Sequence, residues 1–232
     1  MRARDVMTTQ VVTVLPATSV REVARMLLIN RISAVPVVDK EGRILGMLSE
    51  GDLMRRVEAG TDGSGSWWLS LLAGPEYRAE TFVKSHGLHA KDVMTREVVS
   101  VSEGASLEEV ATLLERHCIK RVPVVRDGKL VGIVSRANLL HGLVSWHAGM
   151  SASGGDREIR ATIMDAVTKV GIPNHFINVV VTDGTAHLWG AMQSQAECDA
   201  LRVAAETTPG VKRVENNLFV LPARLRGALG GE

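Results

Sequence analysis

The 232-residue sequence has only two cysteines, Cys118 and Cys198, far apart and without a CxxC companion. That excludes a disulfide framework or a zinc knuckle and makes buried free thiols the expectation. No stretch approaches the roughly 18 consecutive apolar residues of a membrane span. The opening MRARDVMTTQVVTV lacks an apolar h-region, so a cytoplasmic protein is expected. An excess of one charge is missing as well. With 27 Lys and Arg against 26 Asp and Glu, the net charge of +1 gives no electrostatic reason for binding nucleic acid or an anionic membrane. There is no GxSxG elbow, Walker loop or Rossmann fingerprint, and no paired acid and nucleophile. A non-enzymatic role without a catalytic cofactor is the reading. His86 and His89 are spaced HxxH, and His141 and His147 lie toward a linker, but no acid or thiol cluster completes a metal site.

What is present is an ordinary globular composition, 45% apolar and 23% charged, with length enough for a sizeable core and more than one domain. Its strongest feature is an internal repeat. Asp5-Val-Met-Thr-Thr-Gln-Val-Val-Thr-Val14 returns as Asp92-Val-Met-Thr-Arg-Glu-Val-Val-Ser-Val101, an offset of 87 residues. Arg31-Ile-Ser-Ala-Val-Pro-Val-Val38 returns at the same offset as Cys118-Ile-Lys-Arg-Val-Pro-Val-Val125, and Gly46-Met-Leu-Ser-Glu-Gly-Asp52 returns as Gly132-Ile-Val-Ser-Arg-Ala-Asn138. A period this long is a duplicated small domain rather than a solenoid unit.

Each copy reads as strand, helix, strand, strand, helix. Val11 to Val14 forms a β-branched run. The boxes Ser19-Val-Arg-Glu22 and Ser106-Leu-Glu-Glu109 open helices with one apolar face. Hairpins follow, Ala34 to Val38 with Ile44 to Leu48, and Val122 to Val125 with Leu130 to Val134. A unit of about 50 residues buries too little surface alone, so the two are expected to pack together about a pseudo-two-fold axis. Between them lies an insert with the flexible Thr61 to Ser66, the pair Trp67-Trp68 and a helix from Glu76 to about Ser85. After the linker, a helix capped by Asp156 or a neighbour carries Ile159, Ile163, Val167 and Val170. The Asp183-Gly184 hairpin, a helix from about Ser194 to Glu206 and a strand from Val211 to Leu221 complete an α-β-β-α-β unit. The expected boundaries are 1–57, an insert at 58–87, 88–146, a linker at 147–155, 156–222 and a tail at 223–232.

The repeated order of VMTxxVVxV, Val-Pro-Val-Val and Gly-apolar-apolar-Ser-x-x-Asp/Asn resembles a tandem pair of cystathionine-β-synthase (CBS) domains, a Bateman module. The third unit, with Leu188-Trp-Gly190 and Pro209-Gly-Val-x-x-Val-x-Asn-x-Leu218, resembles a BON domain. The resemblance implies an α+β fold of two pseudo-symmetric β-α-β-β-α units packed together. It also implies a homodimer and a regulatory protein that binds an adenosine nucleotide, AMP or ATP, between the two units. The alternative is an interaction scaffold with vestigial clefts that meets protein or phospholipid through the BON-like unit.

Ser49 and Asp52 carry two readings. As a capping box, the serine accepts from a backbone N–H and the acid lies against the helix start. As a ligand site, the carboxylate accepts from both ribose hydroxyls while the helix N-terminus offers N–H groups to an anion. By the resemblance, one cleft joins Ser49 and Asp52 to Ile119, Lys120 and Arg121, with Thr95 and Val99 nearby. The other joins Ser135 and Asn138 to Ile32, Ser33 and Ala34, with Thr8 and Val12 nearby and Arg136 beside the helix start. Asn138 replaces the family's aspartate, so this second cleft is expected to hold ribose less strongly.

Overall fold

Both hairpins of the duplicated domain are built from runs in which Val and Ile dominate, and both close where sequence chemistry allows. The computed structural model describes residues 1–54, 82–145, 152–172 and 177–222. Contacts divide the chain into two units: Met1–Val11, Val99–Arg126 and Val131–Glu232 form one, and Val12–Val98 with Asp127–Leu130 form the other. Neither unit coincides with a sequence repeat.

In the unit built on the first repeat, α2 (Val20–Ile29) precedes the antiparallel pair β1 (Ala34–Val38) and β2 (Ile44–Ser49), and α3 (Glu50–Met54) follows. Ser19 caps α2 by accepting from the Glu22 N–H at 3.2 Å. Of the expected strand Val11 to Val14, only Val14 pairs, as a parallel bridge to Val37. The core of Val14, Val20, Val23, Leu27, Val35, Val37 and Leu48 also takes in Ala90, Val93 and Met94, which belong to the opening of the second repeat. Those residues lie on a one-turn helix, α4 (Ala90–Val93).

The other unit mirrors this. The two-residue β3 (Val101–Ser102) lies parallel to β4 (Arg121–Arg126), and β5 (Lys129–Ser135) flanks β4 on its far side. Helices α5 (Leu107–Arg116) and α6 (Arg136–Val144) complete the repeat. Its core of Val101, Val110, Leu114, Val122, Val124 and Val134 takes in Ala3, Val6 and Met7 from the opening segment, where α1 (Ala3–Val6) makes one turn. The two repeats have exchanged their opening segments. The unpredicted turns α1 and α4 exist because each drops its apolar side into a core that its own repeat does not supply.

The carboxy-terminal domain runs α7 (Gly154–Val170), β6 (Ile177–Thr182), β7 (Thr185–Met192), α8 (Gln195–Glu206) and β8 (Arg213–Val220), with sheet order β6-β7-β8. The pair β6 and β7 is antiparallel and β7 and β8 is parallel. Asp183 (φ 48°) and Gly184 (φ 72°) form the tight turn that Asp-Gly chemistry calls for, as Asp127 and Gly128 do between β4 and β5. Ser153, not Asp156, caps α7. Asp156 sits three residues on, accepts from the Ser153 N–H, and with its other oxygen accepts from the Gly184 N–H, both at 2.8 Å. Burial opposes its charge, but these bonds outweigh that and hold its carboxyl below the ordinary range. Cys198 is buried, which pushes its thiol pKa up, whereas Cys118, expected to be buried, is exposed. Trp67, Trp68 and the tail lie outside the described residues, as does the expected helix from Glu76 except for 82–86, which are helical.

Candidate functional site

The glycine that leads each Gly-apolar-apolar-Ser stretch is needed for contact. A Cβ on Gly46 would stand 2.5 Å from Met94 Sδ and 2.9 Å from the Thr95 carbonyl oxygen; on Gly132 it would stand 2.5 Å from Met7 Sδ and 3.0 Å from the Thr8 oxygen. Each glycine thus receives the Val-Met-Thr motif of the opposite repeat. Backbone bonds lock the approach: Met47 and Thr95 exchange N–H···O bonds at 2.9 and 2.8 Å, and Thr8 and Ile133 exchange a pair at 2.9 Å. Thr95 and Thr8 are thereby fixed two residues before Ser49 and Ser135.

At the first site, Ser49 donates to Asp52 Oδ2 through its N–H (2.8 Å) and its hydroxyl (2.6 Å). Asp52 Oδ1 has no partner among the described residues, and the side chain is half-buried. Ala34 pairs with Ser49 across the hairpin, and the Ser33 carbonyl accepts from the Glu50 N–H at 3.0 Å. Ser33, Ala34 and Thr95 are thus bonded or paired to the strand end and helix start that carry Ser49 and Asp52, and Ile32 and Val12 pack against the core of the same unit.

At the second site, Ser135 donates to Asn138 Oδ1 through N–H (2.8 Å) and hydroxyl (2.6 Å), and its Oγ accepts from the Asn138 N–H at 3.3 Å, a full capping box. Asn138 Nδ2 donates to the Val6 carbonyl at 2.9 Å, and the residue is only 5% exposed. The Arg136 N–H donates to the Lys120 carbonyl (3.2 Å), and its guanidinium to the Ile119 carbonyl (3.3 Å). Arg121 opens β4, and Val99 and Ile119 pack against this unit's core. Within its own unit each Ser-x-x-Asp/Asn is thus flanked by the hairpin residues of its own repeat and the threonine of the other.

The two positions differ in what they can offer. Among the described residues Asp52 Oδ1 meets no donor and is suited to accept from a vicinal diol, while both polar atoms of the Asn138 amide are engaged. The repeat made both motifs visible in the sequence. The engagement of Asn138 was not visible, because its partner Val6 is remote in the chain and donates nothing to local pattern. Among the described residues no cluster of three or more His, Cys, Asp and Glu side chains could hold a metal ion, and no helix is long and apolar enough to cross a membrane.

The CBS domain model matches residues 3–59 and 90–145, and the BON domain model matches 155–222. Over 137 residues the chain is 33% identical to the CBS domain-containing protein YhcV of Bacillus subtilis, a match covering 59% of this chain and 81% of that protein. Chloroplastic CBSX1 of Arabidopsis thaliana is 34% identical over 133 residues, which is 54% of this chain and 56% of CBSX1. Among solved structures, CBSX2 of Arabidopsis thaliana in complex with AMP superimposes with a TM-score of 0.54 at 29% identity, covering 62% of this chain and 96% of that one. With the repeated motifs and their exchanged opening segments, these matches show that the chain belongs to the CBS-domain family, as a tandem CBS pair followed by a BON domain.

Proposed function

We propose that this protein is a non-catalytic sensor that binds an adenosine nucleotide, of the AMP or ATP type, at the surface holding Asp52. The observation that carries the reading is Asp52 Oδ1, without a partner among the described residues while two bonds from Ser49 hold the other oxygen in place. A ribose cis-diol can donate to that oxygen while the carboxylate stays fixed, and a charge-assisted bond of this kind is about twice as strong as a neutral one. Ile32, Ser33, Ala34 and Thr95 then form the remaining wall in this unit. The AMP held by the related CBSX2 supports an adenosine ligand. As a signalling protein it would act by binding one arrangement of the CBS pair more tightly than another.

Titration calorimetry with AMP, ADP, ATP and S-adenosylmethionine tests this. Asp52→Ala is expected to weaken the best ligand by about 1–3 kcal/mol without loss of fold. Equal affinity in wild type and variant would remove Asp52 from the site, and no binding of any adenosine compound would favour the scaffold reading, in which the BON domain meets a protein or lipid surface.

A further inference from the structure

We propose that the second repeat has turned its ligand position into a dock for the BON domain, with Arg4–Thr8 as a strut gripped from both sides. The ligand half of this statement rests on the reading of Asp52 above, while the strut rests on geometry alone.

From the repeat, Asn138 donates to the Val6 carbonyl, Met7 lies over Gly132, and Thr8 is bonded to Ile133 in both directions. From the BON domain, Arg160 reaches the same segment. Its Nη2 donates to the Met7 carbonyl at 2.6 Å, its Nη1 to the Arg4 carbonyl at 3.4 Å and its Nε to the Val179 carbonyl at 2.6 Å. Arg160 is 9% exposed, and burial draws its pKa down to about 10 against the opposing pull of Asp5, so it stays cationic near neutrality. A buried cation is tolerated only when its donors are satisfied, and here backbone carbonyls of two domains supply the acceptors. Arg157 adds a bond to Asp5 Oδ1 at 3.0 Å, and Gln10 donates to Thr168 Oγ1 of α7 at 3.0 Å. Val180 of β6 enters the core of the second repeat.

Along the strut the carbonyls of Arg4 and Met7 face the BON domain's arginine, and that of Val6 faces the repeat's asparagine. An aspartate at 138 would set a carboxylate oxygen against the Val6 carbonyl with no proton between them, so only the amide completes the grip. The departure from the family's aspartate, which on sequence grounds read as a weakened ligand contact, is the requirement of a joint. At the equivalent place Asp52 Oδ1 has no partner among the described residues, which on the reading above leaves it to a ligand.

The test uses the full chain as wild type, Asn138→Asp, Asn138→Ala and Arg160→Met, read by amide hydrogen exchange and by calorimetry with AMP. The amides of Met7, Thr8 and Ile133 are expected to exchange about tenfold faster in Asn138→Asp and Arg160→Met. Those of Met47 and Thr95, the matching bonds of the first repeat, are expected to keep their rates. A single AMP is expected per chain in both wild type and Asn138→Asp. Unchanged exchange at Met7 and Thr8 overturns the strut, and uptake of a second AMP by Asn138→Asp overturns the assignment of Asn138 to docking. If wild type binds no AMP yet the strut responds, the nucleotide reading of Asp52 falls and the dock stands. Should Arg160→Met fail to fold, as judged by exchange at Leu188 and Leu201, Asn138→Ala carries the comparison, because it removes the same grip from the other side.

Discussion

A single methyl group at Gly46 or Gly132 would collide with a methionine thioether and also with a backbone carbonyl, Thr95 O at 2.9 Å or Thr8 O at 3.0 Å. The thioether can move aside, but the carbonyl is tied into a paired bridge and cannot. Gly46→Ala and Gly132→Ala are therefore each expected to lower stability by about 1–3 kcal/mol, measured by denaturant unfolding. Truncating the facing methionine should not restore it. These two contacts also mark how far residue patterns could be read. That a glycine and a Val-Met-Thr motif recur together is plain from the repeat. That Gly46 receives Met94 and Gly132 receives Met7 is not, because the hydrophobic pattern says a side chain is buried without saying by which repeat.

Among the elements, β6 carries the most consequence for its size. By sheet order it is an edge strand, yet all six of its residues are buried, since one face belongs to the BON core and the other meets α1 and α6. On that second face His141 of α6 stacks on Trp189 of β7, ring centroids 4.9 Å apart at 11°, with Nδ1 2.9 Å from Asn178 Nδ2. Burial lowers the pKa of His141 from its ordinary value. The neutral ring is the form the folded state prefers, so above about pH 6.5 neither state takes a proton and the contact is at full strength. As pH falls below that, the unfolded chain gains a proton that the folded chain resists, and stability drops until the folded-state pKa is passed. His141→Phe keeps the stacking and removes the titration, so the stability difference between wild type and variant is expected to shrink or reverse on acidification, followed by thermal unfolding from about pH 7.5 to about pH 5. A difference that stays flat would sink the assignment. At this scale the sequence was largely readable: the caps at Ser19 and Ser106 and the Asp183-Gly184 turn are local chemistry. The first strands were over-read, because a β-branched run specifies extended backbone but not a partner to pair with.

For the whole molecule, α6 leaves Leu140 at 60% and Leu143 at 62% exposure on a helix that is apolar on most sides. Two exposed leucines three residues apart on one helix form an apolar patch that a second copy would cover. We predict that the 25.0 kDa chain has the mass of a homodimer in light scattering, and that Leu140→Glu with Leu143→Glu shifts it toward monomer. A strict monomer at micromolar concentration would refute this.

The amino-acid sequence by itself determined the duplication, the family, the succession of helices and strands, and the location of Ser49–Asp52 and Ser135–Asn138. Each of these is written in residue order or in bonds spanning three or four positions. Only tertiary structure decided that the opening segments change places, that Asn138 spends its amide on Val6, and that Arg160 ties the BON domain to the strut. Those outcomes depend on partners distant in the chain, 132 residues apart for Asn138 and Val6 and 153 for Arg160 and Met7, and the choice among distant partners is made by packing and by the need to satisfy buried polar groups, neither of which leaves a period in the sequence.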